Sequence, residues 1–207
     1  RHSTGALALA AVWGSSITWA CHLVRGLADF DEARAKAATD TLFAALGQDR
    51  GAVEPSKHFG LLLIDGLAMA EERFSALLAD ALEGIQFAGG SAGDDLGFRQ
   101  THVITEGGVF SDAALVILAN KGSATVEMVK HQLFVTTPRA LCITKANTAT
   151  RVVNEIDGFP AIEAYAAALG LTRAEVTDEV TFLNPVTFSC NGEVYVRSIQ
   201  KVHADGS

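Results

Sequence analysis

Charge is scarce in this sequence. Only 19% of the 207 residues are charged, and 24 acidic against 16 basic side chains leave a formal net charge of −8. A deficit of Lys and Arg excludes the broad positive footprint that nucleic acid or an anionic membrane surface requires. Long apolar runs are lacking as well. The longest, residues 6–13, is broken by Gly14-Ser15-Ser16 and falls far short of the roughly 20 residues that cross a bilayer, so no transmembrane span is predicted. The three cysteines, Cys21, Cys142 and Cys190, form neither a CxxC pair nor a CxxCH haem-attachment site. That spacing argues against a disulfide framework, and the expectation is of three small buried hydrophobes in the reducing cytoplasm. No two histidines stand at i, i+2 or i, i+4, so a multi-histidine zinc or non-haem iron site has no local support. A GxSxG elbow is missing too, and Gly90-Ser91-Ala92-Gly93 does not supply its spacing, which argues against hydrolase chemistry and against an enzyme in general.

What is present is apolar material, 49% of the residues, enough to bury a substantial core in one or two domains. Two strands are predicted at 6–13 and 17–24, joined as a hairpin. A helix follows at 32–46, with Asp29 or Asp31 as its cap, Ala38, Leu42, Ala45 and Leu46 on one face, and Gly47 as its stop. Residues 58–63 read as a buried strand, 70–82 as an amphipathic helix with Phe74, Leu77, Leu78, Ala81 and Leu82 on its core stripe, and 85–88 as another strand. Strand, helix, strand in that order implies a parallel crossover. The pattern then changes to consecutive strands at 101–105, 113–119, 125–136, 141–145 and 151–156, which implies antiparallel pairing. Asp157-Gly158-Phe159-Pro160 opens a third helix closed by Gly170, and Thr172 with Glu175 forms a capping box for a short fourth. Asn191-Gly192 suits a tight turn between strands at 182–190 and 193–199. The fold class is α/β of the mixed α+β kind, mixed sheets with flanking helices, divided into regions 1–156 and 157–207.

The stretch Gly89-Gly90-Ser91-Ala92-Gly93-Asp94-Asp95 follows a short strand, where open α/β sheets place ligand loops. It is not GxGxxG, it lacks the Lys of a P-loop, and its paired aspartates would repel a phosphate. Two readings stand side by side: a ligand-contacting loop through Gly89, Gly90, Ser91, Gly93 and Asp94, or a tight turn with aspartate caps. Among the six histidines His131 is the most suggestive, because Val129-Lys130-His131-Gln132-Leu133-Phe134-Val135 offers apolar neighbours able to wall a porphyrin, and one axial bond needs one imidazole. A structural role for His131 is the alternative.

Three segments in register resemble the FIST sensory family: Gly60-Leu61-Leu62-Leu63-Ile64-Asp65-Gly66-Leu67; the 89–95 stretch with Gly107-Gly108-Val109-Phe110 and Asp112-Ala113-Ala114; and Ile143-Thr144-Lys145-Ala146 with Val153-Asn154-Glu155-Ile156-Asp157-Gly158-Phe159-Pro160-Ala161 and Tyr165. The resemblance implies a signal-input domain that binds a small ligand. Members are usually longer, so the expectation is that the sequence begins within an N-terminal FIST region and stops within a C-terminal one. His131 before Leu133-Phe134-Val135, and Tyr195-Val196-Arg197-Ser198-Ile199 after the Asn-Gly turn, resemble the NosP-type branch. That likeness implies haem on His131, nitric oxide as the signal, and a histidine kinase or cyclic-di-GMP enzyme as partner. Arg151 or Arg197 would pair with the propionates. The alternative within the same family is a small metabolite, such as an amino acid, held at 89–95 without haem. Strand edges left unpaired would favour a homodimer.

Overall fold

The structure, a computed structural model, describes residues 11–12, 14–94, 97, 99–129, 131, 133–190 and 192–207. It separates into two compact units, Arg1–Val129 and Lys130–Ser207. The sequence division at 156/157 falls inside the second of these. The strand expected at 6–13 lies outside the described residues, apart from 11 and 12. No helix among the described residues is long and apolar enough to cross a membrane.

The first unit runs β1 (Thr18–Arg25), α1 (Glu32–Ala45), β2 (His58–Asp65), α2 (Glu71–Ala81), β3 (Phe87–Ala92), β4 (Val103–Thr105), β5 (Gly108–Phe110) and β6 (Ala113–Asn120). Four of the strands make one sheet in the order β1-β6-β2-β3. β2 and β3 are parallel across the α2 crossover, as predicted, and β6 is antiparallel to both β1 and β2. The β4–β5 hairpin stands as a separate two-stranded ribbon.

Alternation places Ala20 and Val24 of β1, Leu62 and Ile64 of β2, and Ala114, Val116 and Leu118 of β6 on one sheet face, where they join Leu42, Phe43, Phe74, Leu78 and Leu82 in a single core. Burial of each large side chain there contributes on the order of 1.5–3 kcal/mol. Phe30 stacks on Phe74 at 4.2 Å between ring centroids, which sets the chain leaving β1 against α2. α1 begins where Asp31 accepts from the Arg34 amide at 2.8 Å and stops at Gly47, whose φ of 70° relieves the left-handed turn. Its inward face is Ala35, Ala38, Thr39, Leu42 and Phe43; Ala45, expected there, is exposed. Arg50 clamps the two helices. Its guanidinium donates to Asp40 at 2.6 Å, to the Ala81 carbonyl at the end of α2 at 2.7 Å, to Glu83 at 3.0 Å and to Thr39 Oγ1. Lys36 and Arg50 donating to Asp40 hold its carboxyl below the usual range.

Three expectations need correction. The run 85–88 is displaced: β3 begins at Phe87 and takes Gly89, Gly90, Ser91 and Ala92 into the ladder opposite Leu62, Leu63, Ile64 and Asp65. Most of the expected ligand loop is therefore strand. The second concerns 125–136, which forms no strand among its described residues. Thr125-Val126-Glu127-Met128 alternates, but residues 130–135, three polar and then three apolar, break the period of two that a half-buried strand needs. The third concerns Cys21, Cys142 and Cys190, all free and all exposed. Cys21 faces outward from β1, and Cys190 lies on a ribbon of only two strands, so neither meets a packed layer.

The second unit holds β7 (Ile143–Asn147), β8 (Val152–Ile156), β9 (Phe159–Pro160), α3 (Ala161–Leu169), α4 (Asp178–Leu183), β10 (Val186–Cys190) and β11 (Glu193–Arg197). β7-β8-β9 form an antiparallel sheet against α3, with a small core of Ile156, Ala161 and Ala164. The Thr172–Glu175 capping box is present, on one turn of 3₁₀ helix rather than on α4 itself, and Thr177 caps α4. β10 and β11 pair around Gly192, whose φ is 81°, as predicted, but Phe182 and Leu183, expected in the first of these strands, form the end of α4.

Gly89 and Gly90 make a paired test of this account. A Cβ on Gly89 would sit 1.8 Å from the Leu62 carbonyl oxygen, whereas one on Gly90 would meet nothing within 4 Å. Gly89→Ala is expected to lower unfolding stability by about 1–3 kcal/mol through overpacking, and Gly90→Ala to leave it unchanged or raise it by about 0.5 kcal/mol. Urea denaturation of the two variants checks this, and equal midpoints would contradict the register.

Candidate functional site

The C-terminal ends of β2 and β3 lie side by side, with Asp65 opposite Ala92, and open α/β sheets present ligands at such strand ends. Gly66 is needed for the approach, since a Cβ there would lie 2.4 Å from the Ala92 carbonyl.

Asp65 is almost fully buried, at 4% exposure. Its Oδ1 accepts from Thr101 Oγ1 and, at 3.0 Å, from the Leu67 amide; its Oδ2 accepts from the Asp112 amide at 2.6 Å. Asp112 in turn accepts from the Leu27 amide at 2.9 Å. Ser111 donates to the Thr101 carbonyl at 2.8 Å and lies 2.9 Å from His102 Nδ1, so the imidazole N–H donates to the serine oxygen. Burial pushes the Asp65 carboxyl up, but the bonds from Thr101, Asp112 and Leu67, with His102 nearby, outweigh it and hold the group below its ordinary value. Every bond to this carboxylate comes from within the chain. Asp65 is thus a pin that fastens the end of β2 to the segments before β4 and β6.

Glu71 is different. It is the first residue of α2, whose N-cap, Ala70, offers no side-chain cap. Ser91 Oγ donates to Glu71 Oε1 over a long 3.5 Å, and Oε2 is buried with no partner among the described residues. A buried carboxylate oxygen left unmatched is costly, and a donor from a bound molecule satisfies it. Asp94 is committed otherwise: its Oδ2 accepts from the amides of Arg99 at 2.5 Å and Gln100 at 3.1 Å, folding its own loop.

Of the sequence-predicted residues, Ser91 thus reaches the site beside Glu71, Gly89 serves the strand contact, Gly90 faces outward and Gly93 follows β3. Arg151, Arg197 and His131 belong to the other unit. Arg151 occupies the turn between β7 and β8 with φ of 56°, and the Arg197 guanidinium lies over the Phe188 ring at 4.7 Å. His131 is exposed, as are Val129, Leu133, Phe134 and Val135 around it.

Two cavities bear on haem. One, of about 300 Å³, is lined by Asn147, Thr150, Val152, Asn154, His203, Asp205 and Ser207, polar walls that do not suit a porphyrin. The other, of about 390 Å³, includes Phe59, Val126, Met128 and His58. There, however, both ring nitrogens of His58 are engaged, at 2.8 Å with the Glu54 carbonyl and 2.7 Å with Gln48. His131 lines neither cavity; it is an exposed imidazole with exposed apolar residues on either side of it in the chain.

The comparison with known proteins bears on the first unit and the start of the second. A family model described as the FIST N domain matches residues 1–159, more than half of the chain. The chain belongs to the FIST family. The family is one of sensory domains, and in this FIST domain the matched span takes in the whole β1-β6-β2-β3 sheet, the strand ends that carry Asp65 and Ser91, and the start of α2 at Glu71. No curated protein matches the chain, and neither does any solved structure.

Sequence reasoning missed Glu71 and the Asp65–Thr101–Asp112 pin. A signal for the first was available: an acidic residue in the first turn of a helix that follows a parallel strand. The pin had none, because its members lie 36 and 47 residues from Asp65.

Asp65 gives a pH prediction. A carboxyl held below its unfolded value of about 3.8 contributes stability that is complete above that pH and is lost as pH falls through the folded value. Asp65→Asn sets an N–H group against a backbone donor and is expected to cost about 1–3 kcal/mol at pH 7, with the gap to wild type narrowing below pH 3.8. Urea unfolding at pH 7 and pH 3 measures this; a gap that stays constant would remove the charge from the explanation.

Proposed function

We propose that this FIST domain is the cytoplasmic input module of a signalling system, and that it binds a small polar metabolite carrying a protonated amine, such as an amino acid, at the ends of β2 and β3. The observation that carries this reading is the buried, unmatched Oε2 of Glu71. An ammonium group supplies both the donor and the charge that this oxygen calls for. The Ser91 hydroxyl, 3.5 Å from Oε1 of the same carboxylate, orients the rest of the ligand, with Gly93 following at the end of β3. Glu71 opens α2, and α2 packs on the core, so ligand bound at Glu71 favours one placement of that helix and passes the signal to a histidine kinase or cyclic-di-GMP enzyme. Calorimetric titration with free amino acids and their N-acetylated forms tests this. Saturable binding is expected for a free amine, to be lost on acetylation and weakened at least about tenfold, about 1.4 kcal/mol, in Glu71→Gln; equal binding of the blocked form would refute the amine.

The second reading is haem-based sensing of nitric oxide, favoured by the exposed imidazole of His131 among exposed apolar side chains. His131 would supply the axial nitrogen, Leu133, Phe134 and Val135 the apolar wall, and Arg151 or Arg197 a guanidinium for the propionates. When bound, haem supplies the iron at which the gas coordinates. A stoichiometric Soret band that moves with nitric oxide and is altered in His131→Ala is the expected result on haem addition. Without such a band the haem reading fails and the metabolite reading remains.

A further inference from the structure

The cavity of about 390 Å³ lies where His58 opens β2, at the other end of that strand from Asp65. Its described walls all belong to the first unit: the turn before β2 and the start of that strand, Gly84 and Gln86 ahead of β3, and the chain that follows β6. Phe59, Val126 and Met128, each half-buried, make it apolar on part of its lining. The charges around it do not cancel. Glu54 and Glu83, next in the chain to the lining residues Pro55 and Gly84, are each taken by a base, Glu54 by Lys57 at 2.7 Å and Glu83 by Arg50 at 3.0 Å. Glu127, between Val126 and Met128, is exposed and is not among the lining residues. Lys121 lines the cavity and is half-buried; its amide donates to the Lys57 carbonyl at 2.9 Å. Among the described residues its ammonium meets no acid and no acceptor.

We propose that this cavity is a second ligand site, for a small carboxylic acid with an apolar tail: the carboxylate pairs with Lys121, and the tail lies against Phe59, Val126 and Met128. Partial burial penalises an ammonium that has no counter-charge, and an anion that enters the cavity relieves the penalty with a charge-assisted hydrogen bond. A neutral molecule does not, and an amine is repelled. In a chain of formal net charge −8 this preference for an anion is set by Lys121 and not by the field of the whole protein. The hydroxyl of Ser56 and the amide of Gln86, which also line the cavity and have no side-chain partner among the described residues, can donate to the second carboxylate oxygen. His58 cannot, since its ring nitrogens are engaged by Glu54 and Gln48. The apolar part of the lining selects for a tail, each buried methylene raising affinity by up to about fourfold. The volume, at the lower end of the range for small-molecule sites, suits a chain of a few carbons. The selectivity is opposite to that of Glu71, where a carboxylate calls for an amine, so the two sites stand or fall separately.

Titration of the full chain with acetate, butyrate and hexanoate, beside 1-hexanol and hexylamine, tests the proposal by NMR. The signals to follow are the side-chain amide of Gln86, the methyl of Met128 and, as a control at the other end of the sheet, the backbone amide of Ser91. Hexanoate is expected to shift the first two saturably and to leave Ser91 in place, with a dissociation constant on the order of 1 mM, the range open to a ligand of about eight non-hydrogen atoms. Affinity should rise from acetate to butyrate to hexanoate, and hexanol should bind at least about tenfold more weakly than hexanoate, with hexylamine weaker still. Lys121→Gln is expected to bring hexanoate down to the level of hexanol while hexanol is unchanged, and Glu71→Gln to leave hexanoate unaffected. The comparison of hexanoate with hexanol on wild type does not depend on any variant folding. Absence of saturable shifts by roughly 20 mM hexanoate overturns the proposal. So does hexanol binding as tightly as hexanoate, undiminished hexanoate binding by a folded Lys121→Gln, or a response centred on Ser91 instead of Gln86.

Discussion

The cover that α1 and α2 form over one face of the β1-β6-β2-β3 sheet is the constraint on which the rest of the first unit depends. Both helices connect strands of that sheet, and both return to the same side of it. Leu62, Ile64, Val116 and Leu118 can therefore be buried with Leu42, Phe74 and Leu78, while their neighbours on the same strands cannot. Arg50 reinforces the cover by tying the α1 side chains Thr39 and Asp40 to the last carbonyl of α2. Its position between helices, partly shielded and with several acceptors, makes it worth more than an exposed ion pair.

From that arrangement the site follows. Since α2 returns over the sheet, β3 must pair in parallel with β2, and the two strand ends emerge together. Gly89 permits the close pairing, Gly66 the turn beside Ala92, and Asp65 fixes the end of β2 to Thr101 and Asp112. Glu71 is carried into place by the helix itself. One carboxylate is saturated by its own chain, and the other has a buried oxygen without a partner among the described residues. This contrast separates the structural role of Asp65 from the binding role proposed for Glu71, six residues away.

The second unit rests on less. Ile156, Ala161 and Ala164 form a small core, and the β10–β11 ribbon depends on its turn and on Phe188 stacked against Tyr195 at 5.1 Å. Tyr165, buried against α4, donates to the Asn184 carbonyl at 2.8 Å, and burial raises its phenol above the usual value.

Much of this was legible before folding was considered. Periodicity and caps located α1 within a residue and α2 nearly so, Gly170 ended α3, and Asn-Gly marked the β10–β11 turn, because each of these is decided by neighbours a few residues apart. The parallel crossover was legible too, as strand, helix, strand admits little else. The sequence by itself thus determined the element types, the mixed α/β class and the family resemblance. Only the tertiary structure decided that Gly89 to Ala92 form a strand, that the described residues of 125–136 do not, that the cysteines are exposed, and that among the described residues Asp65 is saturated while Glu71 is not. Those outcomes depend on which strand lies alongside and which face a helix covers, and such contacts join residues tens of positions apart that no local pattern encodes.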